Sequence, residues 1–217
     1  MASGGPLEKP RNYARRTKAE RQREIAEATL KLVARYGVHG TTVSRIAAAV
    51  GLSRGALYKH FPSREAILLA AMDLMEERPL GWVAQSSGPD VYRRLLDMGD
   101  RHASWASSEF ETFIHPLFEF IAAGGQGSLS REMGVRQLRV LDAFVDLVEA
   151  GKREGSINPG VDSGDVAWSL LMFAWAEDVA RLMGVDQLIT SGASTRIFRR
   201  MLADAAASPC RNGKSDS

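Results

Sequence analysis

The chain is expected to fold entirely from α-helices, because three observations agree. Apolar residues recur at intervals of three and four through almost all of its 217 positions, which is the period of one helix face. Alternation of apolar and polar residues, the mark of a half-buried strand, never persists beyond a few residues. Ser, Thr, Gly and Pro punctuate the periodic stretches where helices need caps and stops. With 45% apolar residues the chain has enough material for a core of one or two domains.

Nine helices are expected in order. After a basic start expected to be disordered, KAERQREIAEATLKLVARYG places Ile25, Ala28, Thr29, Leu32, Val33 and Tyr36 on one face and ends at Gly37, a favourable C-cap. Either Thr41 or Thr42 caps the short helix VSRIAAAV, which Gly51 ends. Ser53 caps RGALYKHF, and Pro62 forces the chain out of helical geometry near Phe61. Ser63 starts the fourth helix, with a kink or break expected near Pro79. The fifth covers about Val91 to Ser107, and the sixth, EFETFIHPLFEFIAA, is expected to bend at Pro116. GGQGS is the clearest loop of the carboxy-terminal part, followed by a long seventh helix with Leu138, Leu141, Phe144, Val145 and Val148 on one side. GSINPGVDSGD breaks it, and the last two helices cover about Gly164 to Gly184 and Ser194 to Ala206.

The net charge of +2 conceals an asymmetry: residues 1–65 carry 13 Lys/Arg against 5 Asp/Glu, a net of +8, and the remainder 15 against 21, a net of −6. A basic end joined to an acidic remainder suits a polyanion at one end and another task at the other. No stretch approaches the roughly 20 apolar residues of a membrane helix, and the start lacks the apolar core of a signal peptide. A cytoplasmic protein with no membrane partner is therefore expected. The lone Cys210 excludes an intramolecular disulfide, and no cysteine cluster is available for a metal. Neither a metal nor a cofactor is expected.

Two short helices joined by VGLS fit a helix-turn-helix, whose second helix offers its first side chains to the major groove. Ile46, Val50, Leu52 and Leu57 supply the apolar contacts between them, and Gly51 permits the turn. Ser53, Arg54, Gly55, Tyr58, Lys59 and His60 are left outside. The planar fork of Arg54 suits guanine or a phosphate, and Lys59 either purpose. Thr42, Tyr58 and His60 are single donors better matched to phosphate, while Arg64 completes an anion site at the start of the fourth helix. Arg45 projects toward the same side, and Arg11, Arg15, Arg16 and Lys18 form an arm able to follow the backbone or enter the minor groove. With Thr41, these residues make the candidate DNA surface.

The string TTVSRIAAAVGLSRGALYKHFPSREAILLAAMD, preceded by REIAEATLKLVARYGVHG, resembles the DNA-binding domain of the tetracycline-repressor (TetR) family over about Arg23 to Met75. It departs mildly, with AAAVGLS where an Ala-Gly pair is more usual and Arg64 where lysine is common. The resemblance implies a homodimeric repressor that reads a palindromic double-stranded DNA operator and is released by a small-molecule inducer. It also implies that Thr42, Ser53, Arg54, Gly55, Tyr58, Lys59, His60 and Arg64 lie where family members commonly meet DNA. The implied organisation is a basic arm at 1–18, a helix-turn-helix domain at 19–64, a helical ligand-binding and dimerisation domain at 65–207, and a disordered tail at 208–217.

Beyond the resemblance the carboxy-terminal part offers only its physics. His102, Trp105, Phe110, Phe113, Ile114, Phe118, Met133, Phe144, Trp168, Met172 and Trp175 are the candidate pocket residues, with His115 and Glu119 as further polar groups. Aromatics and methionine with few polar groups suit a largely apolar ligand. VAWSLLMFAWAEDVARLM is apolar around most of its circumference, so Trp168, Leu171, Met172, Trp175 and Val179, with Ile197 and Met201 of the last helix, are candidates for a dimer interface or core. An enzyme is disfavoured: no glycine-rich phosphate loop follows a strand, and neither H-E-x-x-H nor a nucleophile elbow occurs. A helical interaction module, or a ligand-binding protein without specific DNA binding, is the remaining alternative, and it leaves the basic first third unexplained.

Overall fold

The computed structural model describes residues 17–108, 110–123 and 128–207, so the expected arm over 1–16 and the tail from 208 lie outside the described residues. Among the described residues the secondary structure is helical apart from an isolated bridge between Ile157 and Ala206. The helices are α1 (Lys18–Gly40), α2 (Val43–Ala49), α3 (Arg54–Tyr58), α4 (Arg64–Gln85), α5 (Val91–Ser108), α6 (His115–Ala122), α7 (Ser128–Glu154), α8 (Ser163–Leu182), α9 (Gln187–Thr190) and α10 (Ala193–Ala203). A π-helical turn, Phe110–Ile114, leads into α6. The nine expected helices are all present, and α9 is a single extra turn.

Local signals explain most ends. Thr17 and Glu20 form a reciprocal capping box at the start of α1. Thr42, Ser53 and Ser63 each accept from the backbone N–H three residues on, which satisfies one free donor of α2, α3 and α4. Gly37 adopts φ 67° and breaks α1, as expected of a left-handed stop. Pro79 does not end α4, which continues through it to Gln85.

Helix α1 buries two faces rather than the single stripe expected. Ile25, with Ala28 and Leu32 behind it, packs on Ile46, Val50, Leu57 and Ile67 in the core of α1 to α4. Ala26, Leu30 and Val33, about 100° further round the helix, enter a second core with Leu68, Met72, Phe120 and Met133. Tyr36, assigned to the buried stripe, is instead 38% exposed. Its ring carries the guanidinium of Arg45 at 4.4 Å.

A third core joins α5, α7, α8 and α10 through Val91, Leu95, Met98, Leu147, Leu170, Phe198 and Leu202. Along its length α7 buries Met133, Arg136, Val140, Leu147 and Val148, and Leu138, expected to face inward, is 59% exposed. Two ion pairs fasten α7 to α4: Arg136 Nε donates to Asp73 at 3.0 Å, and Arg139 Nη2 to Glu76 at 2.6 Å.

Gly99 makes the α5–α10 contact possible, because a Cβ there would stand 2.2 to 2.7 Å from atoms of the Phe198 ring. Gly99→Ala is expected to lower stability by about 1–3 kcal/mol, the usual cost of overpacking a fitted core. Urea unfolding followed by circular dichroism measures it, and an unchanged midpoint would show that the ring yields freely.

Candidate nucleic-acid interface and ligand cavity

Helices α2 and α3 cross over Ile46, Ala47, Val50 and Leu57, all buried. Leu57 points inward from α3, so its neighbours in sequence face outward: Ser53, Arg54, Gly55, Tyr58 and Lys59 are exposed. The described residues offer no intramolecular side-chain partner to Arg54, Tyr58 or Lys59, and a Cβ on Gly55 would meet nothing within 4 Å. This face is therefore open to close approach by a flat or grooved surface.

The other candidates have internal duties. Thr41 is fully buried and its hydroxyl donates to Gly37 O at 2.8 Å, so it is not on the open face; the exposed cap of α2 is Thr42. Arg64 turns inward as well: its Nε donates to Thr41 O at 2.7 Å and its Nη2 to Val38 O. It thus ties the loop before α2 to the first turn of α4 and is only half-exposed. Arg45 donates to Gly40 O while stacking on Tyr36. His60 is half-buried, its Nδ1 is enclosed, and its carbonyl accepts from Gln22 at 2.8 Å. Spacing along the sequence could not separate outward donors from those that clamp the turn.

From the helix-turn-helix, α4 runs directly to a cavity of about 130 Å³, whose wall it supplies with Met75, Arg78, Pro79 and Trp82. Of the expected pocket residues, His102, Phe113, Ile114, Phe144 and Trp175 line it. Met133 is instead sealed in the core between α1 and α7, and Phe118 is half-buried away from the cavity. Trp168 and Met172 are 40% and 44% exposed on the outer side of α8. The side chains of Trp105 and Phe110 lie outside the described residues. His115 and Glu119 face one another at 3.8 Å, both more than a third exposed and not in the wall. Leu171, a candidate for interface or core, is buried and lines the cavity.

The wall also contains residues the sequence did not single out, chiefly Trp82, Met98, Phe173, Phe198, Glu177 and Asp178. Glu177 and Asp178 are 5% and 4% exposed. His102 Nδ1 lies 2.8 Å from Glu177 Oε2, and the Ser194 hydroxyl donates to Glu177 Oε1. His102 Nε2 is 3.6 Å from Asp178 Oδ1, too far for a hydrogen bond. Arg181 is buried beside them and donates to Ala103 O at 2.6 Å.

Burial pushes the Asp178 carboxyl up to about 6, against the opposing pull of His102 and Arg181. The unfolded carboxyl titrates near 3.8. Between these values the folded state holds the extra proton, so this group's contribution to stability falls as pH rises and is lowest above about 6. Asp178→Asn is therefore expected to exceed the parent in stability at pH 7, with a margin that shrinks as pH falls from 6 to 4. Urea unfolding at several pH values measures this, and a margin independent of pH would show that desolvation does not govern the carboxyl.

The outer side of α8 and α10 is apolar and open: Trp168, Met172, Val179 and Ile197 are 38% to 56% exposed. Trp175 meets Trp168 edge-on at 5.4 Å, and Met201 is half-buried. Trp168, Met172 and Val179 follow one another at four- and seven-residue intervals and so share one face of α8. Among the described residues no group of His, Cys, Asp and Glu could hold a metal ion, and no helix is long and apolar enough to cross a membrane.

Residues 25–78 match the family described as bacterial regulatory proteins, tetR family. The transcriptional repressor AcnR of Corynebacterium diphtheriae is 34% identical over 91 residues, 42% of this chain and 47% of that protein. AcnR of Corynebacterium glutamicum is 30% identical over 125 residues, 56% of this chain and 66% of that protein. The chain thus spans about half to two thirds of the length of these curated relatives, which are regulators rather than enzymes. A TetR transcriptional regulator from Chloroflexus aurantiacus superimposes with a TM-score of 0.72 at 20% identity, covering 88% of this chain and 98% of that one. The transcriptional regulator FadR from Bacillus subtilis, solved in complex with stearoyl-CoA, does so with a TM-score of 0.64 at 18% identity, covering 81% and 96%. These likenesses establish the all-helical fold over nearly the full described chain.

Proposed function

We propose, for a chain that belongs to the tetR family of bacterial regulatory proteins, that it is a cytoplasmic, homodimeric transcriptional repressor released from its operator by a small ligand. The observation that carries this reading is the juxtaposition along α4. Its first turn holds the helix-turn-helix through Arg64, and its second half walls the cavity. A ligand that moves the second half shifts the orientation of the first, and hence the spacing of two reading heads in a dimer. In this reading residues 19–64 bind DNA, and residues 65–207 bind ligand and dimerise. Arg54, Tyr58 and Lys59 meet the duplex directly. Thr42, Ser53, Gly55 and His60 lie at its edge, while Arg45 and Arg64 brace the turn. Two copies related by a twofold axis would read half-sites about 34 Å apart, one helical turn of DNA.

Selection from a random duplex pool, followed by anisotropy titration at several salt concentrations, tests the reading. A palindromic consensus and a steep inverse salt dependence are expected, since each phosphate contact releases counterion. Weak binding without sequence preference would leave the chain as a ligand-binding module.

The mate is expected to cover Trp168, Met172, Val179 and Ile197. The double variant Trp168→Glu, Ile197→Glu is expected to be monomeric by analytical ultracentrifugation and to lose at least tenfold in operator affinity, because each half-site is then bound alone. A dimer that survives both charges would place the interface elsewhere.

A further inference from the structure

We infer that the cavity selects a small protonated amine with an aromatic or compact apolar body, its ammonium held at Asp178; this rests on the reading of the cavity as the ligand site. The acidic end differs from ordinary core in one respect. Both oxygens of Glu177 are engaged, one beside His102 and the other by Ser194. Asp178 Oδ1, by contrast, accepts no hydrogen bond although the residue is 4% exposed and lines the cavity. A buried carboxylate oxygen without a donor is costly, and a ligand that brings a charged donor removes that cost.

The local charge points the same way. Glu177 and Asp178 face His102 and Arg181; His102 Nδ1 lies beside Glu177, Arg181 Nη2 donates to the Ala103 carbonyl, and neither of these hydrogen bonds reaches Asp178. Two carboxyl groups and one guanidinium meet at this end of the cavity, so a ligand ammonium at Asp178 is the complementary charge. The remaining walls are rings: Trp82, Phe113, Phe144, Phe173, Trp175 and Phe198. Aromatic faces attract a cation and exclude water around the pair. Arg78, which also lines the wall, lies over Phe113 at 4.2 Å and borders the neighbouring groove with Glu27 and Glu77. The volume of about 130 Å³ is close to the roughly 150 Å³ that admits benzene in an engineered core. One ring with a short aminoalkyl chain matches both shape and charge.

The test uses the full-length protein at pH 7.5 and three probes of similar shape: 2-phenylethylamine, 2-phenylethanol and 3-phenylpropionate. Calorimetric titration is expected to give the amine at least tenfold tighter binding than the alcohol, and the carboxylate the weakest. In Asp178→Asn the amine is expected to fall to the level of the alcohol, while alcohol binding is retained and shows that the cavity is intact. Equal binding of amine and alcohol, or preference for the carboxylate, overturns the inference; if the alcohol binds and releases the selected operator, the repressor reading stands without it. Survival of the amine preference in Asp178→Asn overturns the assigned contact. Failure of all three probes to bind overturns the inference together with the use of this cavity for release, and leaves DNA binding to be judged by the operator titration alone.

Discussion

Phe120→Ala is expected to destabilise the protein by about 3–5 kcal/mol, which lowers the melting temperature of a chain this size by roughly 6–20 °C. The ring is fully buried and shares one core with Leu30 and Val33 of α1, Met72 of α4 and Met133 of α7. It therefore joins helices that are far apart in sequence, and its removal leaves a cavity that no single helix can close by local adjustment. Phe120→Leu keeps most of the volume and is expected to cost less than about 1.5 kcal/mol. Phe118→Ala, at a half-buried position two residues away, provides the comparison and should be milder than Phe120→Ala. Equal losses at the two positions, measured by urea unfolding, would show that α6 is rotated relative to the orientation described.

Arg54→Ala is expected to separate binding from folding. Its side chain is exposed, and the described residues offer it no partner, so stability should change by no more than about 0.5 kcal/mol. Operator affinity is expected to fall by about 1–3 kcal/mol per half-site, roughly fivefold to 150-fold, with relaxed preference at one base pair. Lys59→Ala should instead weaken binding to all duplexes alike and reduce the salt slope by about 1. If the two variants exchange these behaviours, Lys59 reads bases and Arg54 holds the backbone. If neither alters binding in the anisotropy titration, α3 is not the reading helix.

The legible part of the chain was that governed by near neighbours. Thr42, Ser53 and Ser63 cap helices because each hydroxyl reaches an N–H three residues on, a relation contained in a few consecutive letters. Gly37 and Gly51 adopt positive φ at the two stops assigned to them, for the same local reason. The choice of helix face was less legible. Leu138 was expected inside and is mostly exposed, whereas Arg136 is buried because Asp73 and Glu132 neutralise it. Hydrophobic periodicity cannot anticipate a buried charge whose partner lies on another helix. Arg64 shows the same limit: its chemistry suits phosphate, but the carbonyls of Val38 and Thr41 hold it inward.

The sequence by itself determined the all-helical fold, the helix-turn-helix and the exposed cations of α3, because caps, turns and the 3.6-residue period act over distances of one or two turns. Only the tertiary structure decided which aromatics wall a cavity, and that Glu177, Asp178 and Arg181 of the most apolar-looking helix point inward while Trp168 and Met172 point out. The reason is physical: a side chain's solvation and charge are set by the helices packed against it. Around Glu177 of α8 these include α5 with His102 and α10 with Ser194, residues 75 and 17 positions from Glu177 along the chain.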